Sequence, residues 1–273
     1  MSKHCVVSEL FVHPIKGCRP TAVGQVEVNE FGIKGDREFM VVRGGEKVNQ
    51  KELPALAKIC VEQFSPGHIR LTSEGVASIE HRRMTTGANS TVTFILDKVE
   101  VQDQGDDIAD WISVIVGETV RLVVATDTFK RNLPIDPLKL AHDIPQEGFK
   151  DVSPVMIVNE STLEVLNSKL PEAVPVERFR PNVVVSGLEA YAEDELNQLA
   201  HEQFEFNYVS PCERCVIVNQ DHESGEAHGN DPLKTLSNYR RIEDKYDSGI
   251  VFGSYFNVRG DGLVKIGDEL VFS

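Results

Sequence analysis

Pro211-Cys212-Glu213-Arg214-Cys215-Val216-Ile217-Val218 is the stretch whose reading decides the architecture. A Cys-x-x-Cys pair admits three settings, and each belongs to a different fold. Half of a structural zinc site needs a second ligand pair. His222 and His228 lie downstream, but their spacing and acidic, glycine-rich surroundings fit the finger pattern poorly. A redox dithiol expects a strand-to-helix turn in a βαβ unit, whereas here an apolar run follows. Val216-Ile217-Val218 and Val183-Val184-Val185 read as strands buried on both faces. The plain alternative is two ordinary buried thiols in a β-rich core. Arg214 would lower the Cys215 thiol pKa and offer a fixed cation to an anionic ligand.

Bulk properties narrow the setting. The chain has 273 residues, 41% of them apolar and 26% charged, with a formal net charge of -15. That length accommodates two cores. The acidic excess is spread along the chain, which argues against generic nucleic-acid or anionic-membrane binding. No apolar run suggests a membrane span, and residues 1–10 lack the apolar core of a signal peptide. Five cysteines, an odd count, read as free thiols of a reducing cytoplasm, so a cytoplasmic location is expected.

Outward from the motif, the pattern is mainly strands. Val6 to Pro14, Gln25 to Val28, Glu38 to Val42, Cys60 to Phe64, His68 to Leu71, Thr91 to Ile95 and Val120 to Val124 are strand candidates. One helix is predicted over Asp106 to Val116, where Ile108, Trp111, Ile112 and Ile115 recur at helical spacing and Gly117 could end it. A second covers Ser161 to Asn167, with Asn159 or Ser161 as its cap. Leu263 to Phe272 reads as strand, turn, strand. Thr126 to Lys150, polar and carrying Pro134, Pro137 and Pro145, reads as a long loop or inter-domain crossing. The fold class expected is β-rich α+β: two barrel-like units with a few helices, dividing at 1–125 and 126–273.

Three loops could present cations. Arg178-Phe179-Arg180-Pro181-Asn182 precedes a strand, and an arginine fork suits a phosphate or carboxylate. His13-Pro14-Ile15-Lys16-Gly17-Cys18 and Gly35-Asp36-Arg37 set basic residues beside turn glycines. Asp151-Val152-Ser153-Pro154 ordinarily marks a turn before an apolar strand. Each alone is commonplace.

Together, in this order, these segments resemble a known family. They are joined by Trp111 to Gly117 with Val120-Arg121-Leu122, by Pro232-Leu233-Lys234-Thr235-Leu236, and by Phe252-Gly253-Ser254-Tyr255-Phe256. The chain resembles the molybdenum cofactor sulfurase C-terminal (MOSC) domain proteins with an N-terminal β-barrel domain, among them the mitochondrial amidoxime-reducing component and its bacterial relatives. The resemblance implies a domain-level fold of an N-terminal β-barrel-like unit followed by a MOSC-type β-barrel. It implies molybdenum cofactor (Mo-molybdopterin) bound through the thiolate of Cys215, the metal ligand and catalytic position, with Cys212 a neighbour. Lys16, Gly17, Arg37, Arg180 and Arg214 fall at positions that meet the cofactor's phosphate, Asp151 and Ser153 at polar pterin contacts, and Tyr255 at a pocket tyrosine. The family-level description also carries pyridoxal phosphate binding.

One position departs from the family pattern. Lys16-Gly17 stands where many relatives have Lys-Ser, so a hydroxyl contact is absent and about 0.5–1.5 kcal/mol of cofactor binding with it. The implied activity is an oxidoreductase that reduces N-hydroxylated substrates. The implied alternative is a carrier that holds the cofactor or a persulfide without turnover of its own. A fused ferredoxin would need four clustered cysteines, and none follows Tyr255. A separate electron-donor protein, of ferredoxin or flavoprotein type, is therefore expected.

Overall fold

The computed structural model describes residues 4–94, 97–126, 129, 147–227, 229–242 and 249–273. Most of the predicted loop over Thr126 to Lys150, and His228, lie outside those residues.

Two closed sheets organise the described chain. In the first barrel, Arg121–Ala125 pairs with Asp97–Asp103, which pairs with Asn89–Phe94. Glu46–Lys47 and Phe39–Arg43 continue the order, and Phe39–Arg43 closes it by pairing antiparallel with Arg121–Ala125. The alternation of Val92 and Phe94 with polar neighbours, and of Val99 and Val101 likewise, sends one face inward. A three-stranded sheet, Cys60–Ser65, His68–Ser73 and Val76–Arg82, flanks this barrel.

Helix α1 (Asp106–Val116) coincides with the predicted span. Ile108 and Ile112 bury one stripe in the flanking core. Asp106 and Asp107 occupy the first turn, where the helix dipole favours them. Gly117 takes the left-handed cap, its N–H donating to the Ser113 carbonyl.

The second barrel runs, strand by strand, Val183–Ser186, Val155–Asn159, Val251–Gly260, Phe204–Glu213, Gln198–Ala200, Glu269–Phe272 and His4–Val12. His4–Val12 then pairs back onto Val183–Ser186, which closes the ring. The N-terminal strand is thus a stave of the barrel built mostly from the far half of the chain. Gly262–Lys265 likewise reaches back to Gln25–Asn29. The runs Val183 to Val185 and Val155 to Val158 are buried throughout, and their pairing is parallel, as two-sided burial predicts. Helix α2 (Glu160–Asn167) starts at Asn159, whose side chain accepts the Ser161 N–H. Helix α3 (Leu233–Ser237) is a short turn before the final strands.

Candidate functional site

The long strand Phe204–Glu213 pairs with Val251–Gly260, but its register slips between Tyr208 and Ser210 and again between Pro211 and Glu213. Pro211 has no N–H to give the ladder, so irregularity there is expected. The strand carries Cys212 inward, 1% exposed, and stops at Glu213. The Gly249 N–H donates to Glu213 Oε1 at 3.0 Å, and the Arg214 N–H donates to the Ile250 carbonyl at 2.8 Å. Cys215 follows with extended backbone and an exposed side chain.

Val216-Ile217-Val218 is not a strand. Val216–Asn219 forms a 3₁₀ turn, with the Val218 N–H donating to the Cys215 carbonyl at 3.3 Å. Only Val218 and Asn219 are buried in it; Val216 is 48% exposed. A three-residue apolar run carries no periodicity that separates a buried strand from a turn with one face covered. Cys212 is buried and Cys215 exposed, so the two thiols occupy different environments.

Arg214 is buried against the core that Met156, Phe179 and Cys212 share. Its Nη1 donates to Cys212 Sγ at 2.7 Å and lies 3.4 Å from Met156 Sδ, while Nη2 donates to the Phe179 carbonyl at 2.7 Å. Burial opposes its charge, but Cys212, Tyr255 and Cys215 outweigh that and raise its pKa. Tyr255, on the neighbouring strand, has a hydroxyl pKa well above its ordinary value, first from burial and then from Cys212. Gly253, two residues before it, has φ +67, and a Cβ there would meet Met156 and Val158 at 2.8 Å. Glycine at this position lets the tyrosine strand lie against Val155–Asn159.

The opposite wall comes from the first barrel. Ile15–Lys16 adds in parallel beside Phe39–Arg43, with Lys16 level with Met40. The buried Lys16 ammonium donates to Asp151 Oδ2 at 2.7 Å and to the Phe149 carbonyl at 3.0 Å. Burial lowers its pKa to about 8 despite Asp151. Gly17 takes φ +89, with Leu56 Cδ1 3.3 Å from where a Cβ would sit. Arg37 is also left-handed, at φ 52. Its guanidinium pairs with the buried Asp36, and Nη2 donates to the Arg180 carbonyl at 3.3 Å. Arg180, φ 55, donates from Nη1 to the Cys18 carbonyl at 2.9 Å. Burial and then Arg37 depress its pKa to about 10. Two left-handed arginines bonded across the two barrels are a strained arrangement of the kind found where a ligand is held.

All nine positions singled out in the sequence, Lys16, Gly17, Arg37, Asp151, Ser153, Arg180, Arg214, Cys215 and Tyr255, line one cavity of about 320 Å³. Ser153 does so with its hydroxyl turned to the Phe256 carbonyl at 2.8 Å. Lys47, Lys150 and Arg178 line it too and were not among the site residues read from sequence. Only Arg178 had a sequence signal, its place in Arg178-Phe179-Arg180. Seven lysines and arginines thus face two carboxylates, Asp151 and Glu213, in a chain of net charge -15. Low-dielectric walls focus such a field on whatever anion enters.

Residues 4–119 match the MOSC N-terminal beta barrel domain and residues 145–271 match the MOSC domain. The chain belongs to the MOSC domain family. Among curated relatives, mitochondrial amidoxime reducing component 2 of Rattus norvegicus is 29% identical over 278 residues, covering 97% of this chain and 82% of that protein. Mitochondrial amidoxime-reducing component 1 of Homo sapiens is 29% identical over 277 residues with the same coverage. The corresponding protein of Danio rerio is 28% identical over 274 residues, covering 97% and 84%. Neither pyridoxal phosphate binding nor a cytoplasmic location draws support from these matches. Among the described residues, no helix is long and apolar enough to cross a membrane.

The cavity's donor set suits a molybdenum–pterin cofactor. One exposed thiol offers the soft sulfur that such a metal takes. The Lys16, Arg37 and Arg180 cluster supplies charge for a phosphate, and the Gly17 backbone lines the same cavity. Among the described residues, no three histidine, cysteine or acidic side chains converge as a metal-binding group.

Proposed function

We propose that this MOSC protein is a molybdenum-cofactor-dependent reductase of N-hydroxylated compounds, with Cys215 as the protein's ligand to the metal. The observation that carries the reading is the exposed Cys215 thiol sharing one cavity with the Lys16, Arg37 and Arg180 cations. Cofactor-held molybdenum would supply two-electron removal of the substrate's N-bound oxygen, which leaves as water. The protein's part is placement. Lys16, the Gly17 backbone, Arg37 and Arg180 would hold the phosphate end. Asp151 keeps Lys16 oriented through their 2.7 Å bond. Arg214, fixed by its bonds to Cys212 and Phe179, would brace the segment that presents Cys215, and Tyr255 lines the same cavity.

The names of the relatives, amidoxime-reducing components, support the substrate class. Electrons come from a separate donor protein. The test is turnover: protein loaded with molybdenum cofactor and given an artificial electron donor should convert an amidoxime to the amidine. Fully loaded protein that reduces none of several N-hydroxylated substrates would leave a cofactor or persulfide carrier as the better reading.

A further inference from the structure

Gly17 brings no side chain to the cation cluster, and the atoms beside it belong to the turn that follows Glu46–Lys47. From the point where a Cβ would start, Asn49 Cα is 3.7 Å away and the Gln50 nitrogen 3.8 Å, with Leu56 Cδ1 at 3.3 Å. Lys16 precedes Gly17, and the Cys18 carbonyl after it accepts Arg180 Nη1 at 2.9 Å. Gln50 therefore sits at the end of the cavity where the cations gather.

Gln50 is 4% exposed and lines the cavity. Its carbonyl accepts Gln220 Nε2 at 3.0 Å, and next to it Asn49 Oδ1 accepts the Lys51 N–H at 2.8 Å. The turn's backbone is thus fixed by an Asx bond on one side and the second barrel's chain on the other. Its side chain is uncommitted. Among the described residues the Gln50 carboxamide has no hydrogen-bond partner, yet neither of its polar atoms is sealed from solvent-filled space. With the residue so nearly enclosed, that space is the cavity it lines.

A nearly enclosed amide without a partner is unfavourable until a ligand oxygen accepts from it. Lys16 and Arg180 attract an anion by charge; a neutral amide adds a directed donor that does not titrate. We infer that Gln50 is a binding residue of the phosphate cradle, its carboxamide donating to a phosphate oxygen beside Gly17. This rests on the cofactor reading above.

The probe is inorganic phosphate, titrated calorimetrically into the cofactor-free protein at pH 7 and pH 9. Gln50→Met keeps the volume and removes the donor. It should weaken binding about fivefold to tenfold at both pH values, leaving the dependence set by Lys16 in place. Gln50→Glu, equal in size but anionic, should weaken it further at both. Both variants should melt close to wild type, since the side chain bonds nothing in the protein. In a host that synthesises molybdenum cofactor, Gln50→Met should retain less pterin per chain than wild type after gel filtration. Phosphate affinity unchanged in both variants overturns the inference. Weakened binding with a parallel fall in melting temperature would make Gln50 structural and likewise overturn it. If both variants weaken phosphate binding but wild type from that host carries no molybdopterin, Gln50 stands as an anion ligand and the cofactor reading alone falls.

Discussion

The two walls of the cavity are built on opposite terms. The first-barrel wall, Lys16, Gly17 and Arg37, is charge and strained backbone: a lysine with its pKa depressed to about 8 and two left-handed positions, Gly17 and Arg37. The second-barrel wall, Cys212 to Cys215 with Tyr255, is sulfur and regular strand, broken only where Pro211 and the turn after Cys215 interrupt the ladder. Chemistry that needs both a phosphate clamp and a soft ligand can therefore arise only where the barrels meet. The Arg37–Arg180 and Arg180–Cys18 bonds are among the contacts that fix one wall against the other.

That division can be broken at chosen points. Arg37→Ala leaves Asp36 buried and unpaired, a loss expected to cost about 3–5 kcal/mol of stability in a denaturant titration. Unchanged stability would mean that the first wall is not held by this pair. Gly17→Ala forces a side chain to φ +89 against Leu56 and should cost about 1–3 kcal/mol by the same measurement. Cys212→Ala removes a sulfur acceptor from the buried Arg214 and should cost about 1 kcal/mol while sparing metal content.

The smallest effect is a pH dependence. Lys16 is cationic below about 8 and neutral above, so it attracts an anion at low pH and ceases to as pH rises. Inorganic phosphate should therefore bind about threefold to tenfold more weakly at pH 9 than at pH 7, by calorimetry on the cofactor-free protein. Lys16→Met should flatten that dependence, and a slope that persists in the variant would assign it elsewhere.

How much of this was legible beforehand follows the range of the signal. Helix α1 was readable to the residue because Ile108, Ile112 and Gly117 are local periodicity and capping. The two-barrel, β-rich class was readable, but Val76–Arg82, Asp97–Asp103, Phe204–Glu213 and Val251–Gly260 were not read as strands. Nor was the placement of His4–Val12 in the second ring, since nothing local encodes a partner about 175 residues away such as Val183. Val216 to Val218 misled because three valine-like residues suit a strand and a half-covered turn equally. The nine cavity positions came from family motifs in order, not from spacing. Lys47 and Lys150 belong to none of those motifs, and only closure of the two barrels brings them to the cavity.

The central claim is the asymmetry of Cys212 and Cys215. It is tested most directly by metal and pterin analysis of wild type, Cys212→Ala and Cys215→Ala made in a host that synthesises molybdenum cofactor. The account predicts molybdenum in wild type and Cys212→Ala and its loss from Cys215→Ala alone. Equal loss from both variants, or zinc in place of molybdenum, would contradict it.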